Sequence, residues 1–212
     1  MKSAPGVRKR RRLLDIDLIV DSAIALMDET GTITMADLAN RLGSSPAAIY
    51  RHVDGRNEIL ILIRNRVLEP VGAAVNPAAP WTEQIAAWLR SLREHLGRHP
   101  RLVPLLTAQH VTSTTELVGY ARVIDVLGAA GFPDSELILW TSVLDEFAIG
   151  SALDLSAPDE VWQTDDSTPA PLIAALQAAP KGRARVDAAF ELGVQALIAG
   201  MEKRLQEVTK GR

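Results

Sequence analysis

Between Ile33 and Glu58 two short apolar-faced segments flank a glycine, and this stretch most narrows what the chain can fold into. Thr34 suits a helix N-cap, because its side-chain oxygen accepts an otherwise orphaned backbone N–H. Met35, Leu38, Ala39 and Leu42 then share one helical face. Gly43 ends that helix, since glycine enters the left-handed region a sharp turn needs. Ser45 suits the cap of a second helix, with Pro46 in the first turn, where a missing N–H loses no bond. That second helix, Pro46 to about Val53, turns Ile49 and Val53 inward and leaves Pro46, Ala47, Ala48 and Arg51 outward. Helix, glycine turn, helix is the form of a helix-turn-helix, whose second helix fits the major groove of DNA. The plainer alternative is an amphipathic hairpin inside a core. Small outward residues, turn chemistry and basic flanks together favour the DNA reading.

The run TMADLANRLGSSPAAIYRHVDGRNEIL resembles the DNA-binding signature of the TetR (tetracycline-repressor-like) family of bacterial regulators. The likeness rests on Thr34, Gly43, the Tyr50-Arg51-His52-Val53 end of the second helix, and a basic residue three positions later. The family usually has lysine there; this chain has Arg56, whose guanidinium also binds phosphate. By resemblance Tyr50, His52 and Arg56 contact phosphates, and Pro46, Ala47, Ala48 and Arg51 read bases, with Thr34 and Ser45 on the same surface. An alanine methyl can meet a thymine methyl, and an arginine can read guanine O6 and N7. With few long polar side chains on this helix, Arg51 is expected to carry much of the discrimination.

Charge is divided along the chain. The net charge is −3, yet residues 1–66 hold 11 Lys/Arg against 8 Asp/Glu and the remainder holds 12 against 18. A basic N-terminal part on an acidic remainder suits a DNA-reading domain attached to something else. Residues 1–12 end in Arg8-Lys9-Arg10-Arg11-Arg12, too charged to fold alone, and read as a flexible arm. It is either a solubilising tail or, with Arg10 and Arg11, an arm laid on DNA.

With 212 residues, few aromatics and abundant Ala and Leu, the chain is expected to be all-α. Having no cysteine, it can form neither disulfides nor thiolate metal sites, which suits a reducing cytoplasm. No apolar run approaches a membrane span, and no secretion signal follows the basic start. Asp15 caps helix one, with Ile16, Ile19, Val20, Ala23, Ile24 and Met27 as its inner stripe and Gly31 as its end. The domains read as a basic arm over 1–12, a helix-turn-helix domain over 13–58, a linking helix and loop over 59–80, and a helical domain over 81–212. The run Asn57–Leu68 is too apolar to leave one face exposed.

In the last domain, helices are expected over Trp81–Leu96, Leu102–Thr107, Thr114–Ala130, Asp134–Leu153 with Asp134 as cap, Pro171–Ala178 and Ala184–Val208. Residues 154–170 read as a solvated flap whose acids (Asp159, Glu160, Asp165, Asp166) are not a metal site. The stretches WTEQIAAWLRSLREHLGRHPRLVPLL, LGAAGFPD and FELGVQALIAGMEKRL resemble the C-terminal domain of the TetR subgroup most like the tetracycline repressor itself. Wide apolar surfaces on Asp134–Leu153 and the final helix suggest pairing with their copies as a four-helix homodimer bundle. The expected interface residues are Leu144, Phe147, Phe190, Val194, Leu197 and Met201; the alternative is a monomer core.

Trp88, Leu92, Leu106, Tyr120, Trp140 and Phe147 serve a bundle core as readily as a pocket. The family pocket is built from these same helices, and an apolar wall with a few polar groups is the usual design. Asp145 and Glu146 are candidates for such a polar group or for the dimer rim. The tetracycline repressor has a drug-binding histidine near the end of its fourth helix, and Leu68–Ala74 here has none, so tetracycline is a poor expectation as ligand. His95 and His99 have a metal-binding spacing, but Leu96 stands where HEXXH needs glutamate, so a structural role is expected and no metal or cofactor is assigned. His110 would join them only if the fold brought it close.

No nucleophile–base pair, phosphate loop or catalytic carboxylate pair is present, which argues against an enzyme. The resemblance implies a dimeric, ligand-responsive DNA-binding transcription regulator, a repressor on a palindromic double-stranded operator, released by a small apolar or amphipathic molecule. The alternatives are a ligand-independent DNA-binding dimer and an all-α enzyme with an inherited helix-turn-helix.

Overall fold

The computed structural model describes residues 14–73, 75–107 and 114–210; Arg10, Arg11 and His110 lie outside them. Ten helices and no strands occur among the described residues: α1 (Ile16–Thr30), α2 (Met35–Arg41), α3 (Pro46–Ile49), α4 (Arg56–Leu68), α5 (Trp81–Gly97), α6 (Val103–Thr107), α7 (Thr114–Ala130), α8 (Asp134–Asp154), α9 (Ala170–Ala178) and α10 (Gly182–Lys210). They form two compact units, one ending at Ile63 and one beginning at Arg64, so the division falls within α4.

The first unit is set by its caps. Asp15 accepts the Leu18 N–H at 2.8 Å, and Gly31 closes α1 at φ 73° with its N–H on the Met27 carbonyl. Ile19, Val20, Ala23 and Met27 are buried as the spacing predicts, together with Leu26; Ile16 instead stands 41% exposed at the first turn. Helix α2 packs on α1 and on α3. Arg41 near the end of α2 reaches back to Glu29 with hydrogen bonds of 2.6 and 2.8 Å.

In the second unit α5 is central, packing on α7, α8 and α10. Its Ile85, Leu89, Leu92 and Leu96 are buried, as are Val123 and Leu127 of α7 and Leu144 and Ala148 of α8. Arg93 crosses from α5 to α8 and α10. It donates to Ser151 Oγ at 2.9 Å and to Asp187 at 2.8 Å, with its guanidinium 4.5 Å from the Phe190 ring centre. A second clasp joins Arg90 to Glu191.

Two expectations are corrected here. The N-cap of α8 is Pro133, without a side-chain cap; Asp134 is the first helical residue, where its charge suits the positive helix end. Leu144, Phe190, Val194 and Met201 are buried within the single chain. They are core residues of the protomer, so they are not available as a free dimer surface. Phe147 is half-buried against Phe190, and Leu197 is half-buried. The outward side of α8 carries Ile138 at 57% and Leu139 at 61% exposure, and that of α10 carries Leu192 at 68%.

The segment 155–169 is largely exposed, and Asp165 there accepts from Ser167 and Thr168 in a local turn. Helix α9 buries none of its residues.

Candidate functional site

The helix-turn-helix is built by local chemistry. Thr34 Oγ1 accepts the Asp37 N–H at 3.1 Å and donates to the Asp37 carboxylate at 2.6 Å. Gly43 turns the chain at φ 59°. A Cβ added there would meet nothing within 4 Å, so the backbone conformation and not crowding requires glycine. Ser45 Oγ accepts the Ala48 N–H at 3.3 Å, and Pro46 opens α3. Regular helix stops at Ile49, shorter than the spacing predicts, but helical turns run on: the Val53 N–H still donates to the Ile49 carbonyl at 3.2 Å. Ile49 and Val53 are buried. Pro46, Ala47, Tyr50, Arg51 and His52 are exposed, and Ala48 is half-buried. Tyr50, at 52% exposure, is therefore not a core residue. Exposed Arg56 donates from Nε to the Ile33 carbonyl at 3.2 Å, which fixes its side chain beside the entry to α2.

The second unit contains a cavity of about 370 Å³. Leu68, Val71, Trp88, Leu92 and Val118 supply its apolar wall; Glu69, Tyr120, Arg122 and Asp145 supply its polar groups. Another compartment of about 430 Å³ shares Val71, Trp88, Gly119 and Arg122 with it. Of the six expected pocket residues, Trp88, Leu92 and Tyr120 line the first compartment. The other three do not. Leu106 is buried, its carbonyl accepting from Arg64 at 3.0 Å. Trp140 packs edge-on against Phe132, which packs edge-on against Trp81. Phe147 stacks on Phe190.

Asp145 is the polar focus of this cavity. Tyr120 donates to its Oδ2 at 2.9 Å, joining α7 to α8. Burial raises the Asp145 carboxyl above its ordinary value; the Tyr120 hydrogen bond and the Arg64 charge pull it down, and Glu146 adds to the rise. Sequence spacing offered Asp145 only as one of two candidates, because its partners lie on other helices.

His95 Nδ1 pairs with the Ser91 carbonyl, one turn earlier on α5, at 2.7 Å. No group of three or more His, Asp or Glu is placed to hold a metal ion among the described residues. No helix among them is long and apolar enough to cross a membrane.

A helix-turn-helix unit joined to a cavity-bearing helical unit defines a DNA-binding regulator of two domains. Residues 75–205 match the Tetracyclin repressor-like, C-terminal domain family. An HTH-type transcriptional regulator of Saccharopolyspora erythraea is 28% identical over 208 residues, spanning 91% of this chain and 86% of that protein. The crystal structure of apo ActR from Streptomyces coelicolor superposes with a TM-score of 0.77 at 27% identity, covering 92% of this chain and 98% of that one. ActR in complex with actinorhodin superposes with a TM-score of 0.74, also at 27% identity, over 92% of this chain and 99% of that one. The chain belongs to the tetracycline-repressor-like (TetR) family of transcription regulators and is not an enzyme.

Proposed function

We propose that this chain is a dimeric repressor, released from a palindromic DNA operator by a small molecule that enters the cavity of its second unit. The observation that carries the reading is the cavity itself. A pocket of about 370 Å³, mainly apolar with a few polar groups, opens beside the Tyr120–Asp145 pair, the usual design of a small-molecule site. The complex of ActR with actinorhodin supports a small molecule as the signal.

Pro46, Ala47, Ala48 and Arg51 face the bases, Arg51 as the guanine reader. Tyr50, His52 and Arg56 hold phosphates, with Thr34 and Ser45 on the same surface and Arg10 and Arg11 as an accessory arm. Two recognition helices reach successive major grooves only when spaced by one turn of DNA, about 34–36 Å. A second copy covers the outward apolar side chains of α8 and α10, Ile138, Leu139 and Leu192. The ligand prefers a conformer in which that spacing is wrong; without such a preference it shifts nothing. Helix α4 carries the change. The chain works in a reducing cytoplasm, where the absence of cysteine is no handicap.

The test is operator affinity, by fluorescence anisotropy on a duplex selected by the purified protein, during titration with small molecules shown to enter the cavity. Affinity is expected to fall as the cavity fills. An affinity unchanged by every such molecule overturns the reading.

A further inference from the structure

We propose that Arg64 is a positioning residue that makes α4 sense charge in the cavity. While Asp145 is ionised, its carboxylate and the end of α6 together hold the Arg64 guanidinium; neutralising Asp145 loosens α4. The inference rests on the cavity being the effector site and names what α4 senses there, the charge on one carboxylate and not the outline of the occupant.

Three observations lead to it. First, Arg64 is a buried cation, only 7% exposed. A buried guanidinium needs partners both for its N–H groups and for its charge. The Leu106 carbonyl, near the end of α6, accepts from Nη1 at 3.0 Å. That acceptor is itself well anchored: Leu102, Val103 and Leu106 are buried, and the Leu106 N–H donates to the Leu102 carbonyl at 3.0 Å. A carbonyl carries no net charge, so it satisfies the hydrogen bond but not the cation.

Second, burial raises the Asp145 carboxyl while the Tyr120 hydrogen bond and the Arg64 charge pull it down. The coupling is reciprocal, so the ionised carboxylate steadies the guanidinium by as much as the guanidinium favours the carboxylate. Tyr120 meets Asp145 through a neutral hydroxyl, and Glu69 and Arg122 on the cavity wall oppose one another in sign. An occupant that neutralises or draws off the charge of Asp145 therefore removes one side of the hold on Arg64.

Third, Arg64 opens the second unit directly after Ile63 closes the first, inside the unbroken helix α4. Ile59, Leu60 and Ile63 before it are buried. The helical ladder ties residue 64 to residue 60 one turn earlier, so a turn loosened at Arg64 reaches the apolar side chains of the first unit.

The experiment follows amide hydrogen exchange in the full chain without DNA. We expect Asp145→Asn to speed exchange over α4 and α6 about fivefold or more, the lower end of ordinary coupling between sites, while α10 keeps its protection. Asp145→Glu keeps the charge and should leave α4 as it was. In Arg64→Gln the Asp145→Asn change should add nothing further to α4; in Arg64→Lys, which restores a cation, it should again speed exchange there. The two Asp145 variants decide the matter even if Arg64→Gln fails to fold.

Unchanged α4 exchange in Asp145→Asn would overturn the proposal, as would equal acceleration of every helix. So would an Asp145→Glu that behaves like Asp145→Asn, an Asp145→Asn effect as large in Arg64→Gln as in the parent chain, or one that Arg64→Lys does not restore. Operator affinity is measured separately and should fall about fivefold or more in Asp145→Asn. The expected exchange pattern with unchanged operator affinity would defeat the regulatory reading and leave this one standing.

Discussion

The ring of Phe147 on α8 lies flat against that of Phe190 on α10, with centroids 5.4 Å and planes 9° apart. Gly193 sits one turn along α10, and a Cβ there would collide with two atoms of the Phe147 ring. The stacked rings therefore depend on a missing side chain. Gly193→Ala should gain up to about 1 kcal/mol in helix propensity but lose about 1–3 kcal/mol to overpacking. Net destabilisation, read as a lower urea midpoint at unchanged slope, is the expected outcome; a higher midpoint would show that α8 and α10 part without cost.

Acid should loosen the seam between α5 and α10. Burial alone would raise the Asp187 carboxyl, but hydrogen bonds from Arg93 and Arg183 outweigh it and hold it below its ordinary value. The hydrogen bond from Arg90 does the same for Glu191. A carboxyl depressed in the folded state stabilises that state above its unfolded value, about 4–4.5 for these types. That contribution disappears as pH falls through the depressed folded value. Their side chains are 45% and 43% exposed, so solvent screens each pair to less than about 1 kcal/mol. Glu191→Gln should shallow the loss of stability below about pH 4.5, measured by denaturant titration across pH.

The caps of the helix-turn-helix can be tested singly. Thr34→Ala removes the acceptor for the Asp37 N–H and should cost about 0.5–2 kcal/mol. Thr34→Ser should recover most of it. Amide exchange over α2 reads both changes, and equal protection in all three proteins would deny the cap its role.

Arg51 and Arg56 should fail differently. Arg51→Ala is expected to lose about 1–3 kcal/mol at one base position and to relax preference there. Arg56→Ala should weaken binding to every duplex and lower the salt slope by about one. A panel of single-base operator variants at two salt concentrations separates the outcomes; exchanged phenotypes would reverse the two assignments.

Local chemistry was the most readable part of the chain. Asp15, Gly31, Thr34, Gly43, Ser45 and Pro46 act on neighbours within four residues, so their types alone located the turns. Apolar faces were readable too, but periodicity does not say what covers a face. Leu144, Phe190, Val194 and Met201 therefore read as dimer surface although their own chain buries them. Pro133 displaced Asp134 from the cap of α8 because the proline already holds the extended backbone a cap needs. The cavity was half legible: Trp88, Leu92 and Tyr120 line it, whereas Trp140 turns to Phe132. Its polar centre depends on Tyr120 meeting Asp145 across 25 positions and two helices, which no local pattern encodes.

Selection of bound duplexes from a random DNA pool would show whether a dimer recognises DNA by sequence. The full chain would be used at two salt concentrations without added ligand. Recovery of an inverted repeat, with half-sites spaced by one helical turn of about 10–10.5 base pairs, is the expected result. Binding that is salt-sensitive but blind to sequence at both concentrations would contradict it.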